Sequence, residues 1–140
     1  MTSDFRDAAS RHYEDAELLL LPVNGRIANA DHLFGIAAEC SLKAVMEGLG
    51  MMLDDGKPKA SGHRVHADKL WAAFQSFAKG RVQARYVVPL AIGNPFANWE
   101  IDQRYSSRAS FAKPHVDAHH AAATQCLTSL NESLLDGMLS

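Results

Sequence analysis

The stretch from Gly25 to Gly50 leaves little choice of fold. Leu33, Ile36, Ala37, Cys40 and Ala44 recur at helical spacing along one side, and Phe34, Ala38, Leu42, Val45 and Leu49 along another. A helix that is apolar over so much of its circumference has to be covered on several sides, so this segment reads as a long central helix. Gly35 in its interior costs about 1 kcal/mol relative to Ala. Close packing against a neighbour is what would offset that cost.

The rest of the chain supplies the covering. Ser3 or Asp4 caps a first helix running to about Leu21, with Phe5, Ala9, His12, Ala16 and Leu19 or Leu20 on its apolar stripe. Pro22 and Asn24-Gly25 end it. Residues 52–62, with Asp54-Asp55-Gly56, Pro58 and Ser61-Gly62, read as a loop. A third helix is predicted from about His63 to Lys79, turning Leu70, Ala73, Phe74 and Phe77 inward. Gly80 to Gly93 is ambiguous: Tyr86-Val87-Val88-Pro89-Leu90 fits either an extended stretch or a short helical turn. Asn94-Pro95 is a helix-start signal, and the short helix after it would hold Trp99, Ile101 and Tyr105. Ser106 to Lys113 reads as a loop. Pro114 then opens a last helix to about Asp136, with Val116, His120, Ala123, Leu127, Leu130 and Leu134 forming a seam. Together these predict one all-α domain over residues 1–140, an up-and-down four-helix bundle with an additional short helix.

Composition agrees. Hydrophobic residues make up 47% and charged residues 21%, as in ordinary globular chains. Cys40 and Cys126 lie far apart in helical segments and read as reduced, buried thiols rather than a disulfide scaffold. The polar, acidic start of the chain does not resemble a signal peptide, and no apolar run approaches the ~20 residues of a membrane span. A cytoplasmic protein without membrane contact is expected.

The net charge of −2 conceals a segregation. Residues 1–56 carry ten acidic and four basic side chains, residues 57–115 three acidic and ten basic, and residues 116–140 three acidic and none basic. Such blocks either pair across a bundle or create a local positive field. The basic segment includes Arg81, Arg85, Arg104, Arg108 and Lys113. Tyr86, Trp99, Tyr105 and Phe111 are interleaved and available for base stacking, although Trp99 also suits the core.

Arg108 and His115 are separated by six residues, with His115 at the start of the last helix. An Arg, a His and a helix N-terminus together can hold a phosphate. The His would then serve as acid or base on a ribose 2′-OH, and the Arg would stabilise charge developing on phosphorus. Arg104, Tyr105, Lys113 and His119 are the accompanying candidates for substrate binding. His115 and His119 stand one turn apart, a spacing able to hold a metal, but no acidic residue completes the set, and neither a metal nor a cofactor is assigned. His120 reads as a seam residue, His12, His32, His63 and His66 as packing or capping residues, and Glu39–Lys43 as a helix-stabilising i,i+4 pair.

The run Asn29-Ala30-Asp31-His32-Leu33-Phe34-Gly35-Ile36-Ala37-Ala38-Glu39-Cys40-Ser41-Leu42-Lys43-Ala44 resembles the second helix of the HEPN family, in which an alanine-rich stretch ends in Glu-x-x-Leu-Lys before a glycine-containing turn. His66 to Leu70 is similar to the start of that family's next helix, and Arg104-Tyr105 to an arginine–aromatic pair before its last. Arg108 and His115 fit its loose Arg-x(4–6)-His motif, with Ala109 where a polar residue often follows the Arg and Pro114 directly before the His. The resemblance covers roughly residues 8–130. It implies a helical bundle, often a homodimer, with Arg and His facing a cleft. Members include metal-independent RNases, non-catalytic modules that bind a nucleotide or a protein, and partners of a nucleotidyltransferase in toxin–antitoxin or defence systems. RNA or a nucleotide, a second copy and a nucleotidyltransferase are thus the expected partners.

Overall fold

In the computed structural model of the protein, residues 2–79, 81 and 93–135 are described. The alternatives weighed for Tyr86–Leu90, the basic residue Arg85 and the helix end at Asp136 lie outside them. Four α-helices make up most of this structure: α1 (Phe5–Leu20), α2 (Ile27–Gly48), α3 (Ala67–Ala78) and α4 (Lys113–Leu135). The all-α class follows, with one small addition, a hairpin of β1 (Leu53–Asp54) and β2 (Lys57–Pro58).

Helix α2 is central, and α1, α3 and α4 each pack on it. Every residue from Ala37 to Met46 is buried, ten in succession, so no side of the helix faces water there. Around it lie Ala9 and Ala16 of α1, Leu70 and Phe74 of α3, and Val116, Ala123 and Leu130 of α4. These belong to the stripes expected from helical spacing. The α1–α4 seam is closed by Tyr13, whose hydroxyl is 2.7 Å from Thr124 Oγ1, and by His120, which stacks on Phe34 at 4.5 Å. Cys40 and Cys126 are both free and buried, and burial pushes each thiol up to about 12.

The helix ends follow local chemistry. The Asp4 carboxylate accepts from the Asp7 N–H at 3.0 Å and caps α1. At the end of α2, Gly50 takes φ +106°, Met51 N–H donates to Met46 O and Gly50 N–H to Glu47 O. That pair of bonds is a Schellman cap, and its left-handed residue is why a glycine stands there. In the stretch read as a loop, Asp55 and Gly56 both have positive φ and join the two strands in a two-residue turn of the Asp-Gly kind.

Two expectations are corrected. The third helix begins at Ala67, not His63: Ser61–His63 is a short 3-10 turn, and His66 is extended because its ring reaches back to Glu39 on α2. After Asn94-Pro95 there is no α-helix. Asn94 Oδ1 does cap locally, accepting from Phe96 N–H at 2.9 Å, but the chain then turns, is extended at Glu100, and forms a 3-10 helix over Ile101–Tyr105. The Trp99 side chain is drawn into α2, and that contact overrides local helix formation. A further 3-10 turn, Arg108–Ser110, lies inside the expected loop before α4.

Candidate functional site

One carboxylate organises the region where α2, the 94–105 segment and α4 meet. Asp31 lies in the second turn of α2 and is only 3% exposed. Its Oδ1 is 2.6 Å from His119 Nδ1 on α4, and its Oδ2 accepts from Gln103 Nε2 at 2.7 Å. Its main-chain carbonyl accepts from Trp99 Nε1 at 3.1 Å. A carboxylate this deep is tolerated because both oxygens are satisfied. Gln103 is itself fixed, since its Oε1 accepts from the Glu100 N–H at 3.2 Å and completes a capping box.

His119 is held from three directions. It is 2% exposed, and Phe96 stacks on its ring at 5.4 Å. Its Nε2 lies 2.7 Å from Asn98 Oδ1, so both ring nitrogens are engaged. Both contacts leave the ring no free nitrogen for the His115–His119 metal pairing that spacing alone would allow. Among the described residues, no group of three His, Cys, Asp or Glu side chains is clustered to hold a metal ion.

Gly35 sits one turn beyond Asp31. A Cβ there would overlap the Trp99 indole ring, so the glycine admits a tryptophan rather than another helix. His32 stacks on the same indole at 5.9 Å. Burial lowers the His32 pKa, with Arg104 adding to the effect.

This network floors a cavity of about 400 Å³. His115 and His119 contribute to its wall, together with Asp68, Glu100, Ser110 and Phe111. A second cavity, of about 590 Å³, opens at the start of α2, against Arg26, Ala28, Asn29 and Arg108. Helix α2 has no side-chain cap at its N-cap residue, Arg26. The first N–H groups of a helix are ready donors to an anion, and here two guanidinium groups accompany them. Ser106 lines both cavities, which therefore adjoin.

Of the residues singled out in the sequence, Arg108, His115 and His119 line these cavities, whereas Arg104, Tyr105 and Lys113 line neither. Arg108 lies in a 3-10 turn capped by Ser107, whose Oγ accepts from Ala109 N–H, and faces the second cavity. His115 is exposed in the first turn of α4 and faces the first. Arg104 lies over the ring of Tyr105 at 4.8 Å, and Tyr105 is 76% exposed. Lys113 is paired with Asp117 at 2.6 Å, which neutralises much of its charge. Asp31, Gln103 and Asn98, which the sequence reading did not select, form the polar floor. An acid one turn before a glycine, in a helix apolar over much of its circumference, was the available signal.

Comparison with known protein families, with characterised proteins and with solved structures finds no match to this chain. No helix among the described residues is long and apolar enough to cross a membrane.

Proposed function

We propose that the protein is a HEPN-like module that binds RNA or a nucleotide across the two adjoining cavities. The observation that carries this reading is the shared Ser106 wall, which brings the Arg108 cavity and the His115 cavity together. The phosphate belongs with Arg26, Arg108 and the start of α2, where positive charge and free N–H groups coincide. The nucleoside belongs in the other cavity. Asp68 and Glu100 there would repel a phosphate but accept hydrogen bonds from base amino groups or ribose hydroxyls, and Phe111 offers an apolar face.

His115 is the acid–base group in this reading, because it is exposed beside the cavity while His119 is locked between Asp31 and Asn98. Metal-independent cleavage next to the ribose 2′-OH is the activity that follows. A second reading, a non-catalytic binding module, is favoured by the same lock: it leaves one histidine where acid and base catalysis often use two groups.

Cleavage of single-stranded RNA in the presence of a chelator separates the two. Cleavage by the wild type, lost in Arg108→Ala and His115→Ala with the helical circular dichroism retained, supports the ribonuclease. Binding without cleavage supports the module. Neither binding nor cleavage contradicts both.

A further inference from the structure

A third cavity lies at the opposite end of α2, away from the site described above, and its charge is unbalanced. It measures about 230 Å³ and is bounded by Lys43, Lys57, Arg64 and His66, with Phe5 and Val65 as apolar walls. Among the described residues, all the ionisable side chains on this wall are basic. Lys43 is the unusual member: its side chain is only 9% exposed, in the C-terminal part of the central helix.

Glu39 and Lys43 form the i,i+4 pair expected from their spacing, and both are buried: the Glu39 side chain is only 12% exposed, and it is shared. Its Oε2 accepts from Lys43 Nζ at 3.3 Å, and its Oε1 is 2.9 Å from His66 Nδ1. A buried pair of this kind contributes little net stability, because desolvation offsets the attraction. An ammonium carries three donors, and Glu39 supplies one long contact. Arg64 is held by main-chain carbonyls, its Nε donating to Pro58 O at 2.5 Å and Nη2 to Lys59 O at 3.2 Å. Those bonds position the guanidinium without neutralising it. Across the hairpin Asp54 stands opposite Lys57, but it does not line the cavity. Against Lys43, Lys57 and Arg64 stand Glu39, bonded to Lys43, and Asp54, opposite Lys57, so the cavity keeps a net positive charge.

We infer that this cavity is a second binding site, for a phosphoryl group. A positive wall suits a phosphate, which carries about −1.5 to −2 charges at neutral pH. The volume lies below the roughly 300–1,000 Å³ of sites for drug-sized ligands, so the group is either free phosphate or the compact end of a phosphomonoester. The hairpin turn explains the geometry: Gly56 keeps the turn close to Ser3, whose Oγ a Cβ on Gly56 would meet at 3.0 Å, and this closes one wall.

Isothermal titration of the full chain with inorganic phosphate, and separately with glycerol phosphate, tests the inference. Two double variants locate the binding. Arg26→Ala/Arg108→Ala empties the other cationic cavity and is expected to leave this affinity unchanged. Lys57→Ala/Arg64→Ala alters exposed side chains only and is expected to weaken binding about tenfold or more, the loss of one or two charge-assisted contacts. Saturation by inorganic phosphate identifies free phosphate as the ligand, and saturation by glycerol phosphate alone identifies the ester. Saturation by neither, or loss of binding in the first double variant rather than the second, overturns the assignment.

Discussion

Asp31 Oδ1 and His119 Nδ1 lie 2.6 Å apart although 88 residues separate them in the chain. Both are buried, and the contact ties the second turn of the central helix to the second turn of the last. Through Gln103 and Trp99 the same aspartate also anchors the irregular segment between them. The cavity floor is thus a structural joint and a polar surface at once.

Removing the carboxylate strands two donors, His119 Nδ1 and Gln103 Nε2. Asp31→Ala is expected to destabilise the fold by about 3–5 kcal/mol, the range for breaking a buried charged contact, measured by chemical denaturation. Asp31→Asn keeps the volume but sets an amide N–H2 against one of its donors, and should cost less. A double-mutant cycle with His119→Ala should give a coupling of roughly 0.5–3 kcal/mol. A coupling indistinguishable from zero would show that the contact does not join the two helices.

Gly35→Ala puts a methyl group where the Trp99 indole lies. The ring has to move, since α2 is fixed on every side. A loss of about 1–3 kcal/mol is expected from overpacking, together with a red shift of tryptophan emission as Trp99 leaves its site. A variant as stable as the wild type, with unchanged emission, would contradict the packing role given to this glycine.

Burial, reinforced by Arg104, lowers the pKa of His32, and burial together with Arg11 lowers that of His12, each from 6.5. The unfolded chain therefore takes up these protons before the folded one. The stabilising contribution is complete above 6.5 and is lost as the pH falls below 6.5 and through the lowered folded values. Denaturation midpoints should accordingly decline over that window. His32→Phe, which keeps a ring against Trp99, should make the decline shallower; an unaltered slope would mean that His32 does not contribute to it.

Much of this architecture was legible because periodicity is local. The two apolar sides of Gly25–Gly50 predicted a central helix, and the stripes on α1 and α4 located the seam that His120 and Tyr13 close. Segments governed by distant contacts were not legible. The start of α3 was set too early because His66 is committed to Glu39, a partner 27 residues away. The Asn94 cap was real, but Trp99 is claimed by α2, so no helix follows it. Of the site residues, Arg108 and His115 border adjoining cavities, while His119 turned out to be a locked partner of Asp31. No spacing rule connects residues 31, 98, 103 and 119; the fold alone brings them together.

In the function proposed above, one ribonucleotide ligand spans both cavities beside Ser106. Amide NMR of the full chain during titration with a short single-stranded oligoribonucleotide tests it most directly. Saturable shifts are expected at Ala28 and Asn29, at the start of α2, and with the same midpoint at Ser110 and His115. In Arg108→Ala both sets should require roughly tenfold more ligand, since losing a charge-assisted contact costs about 1.5–3 kcal/mol. Shifts confined to one cavity, midpoints that differ between the two, or no saturable shift at either would contradict the account.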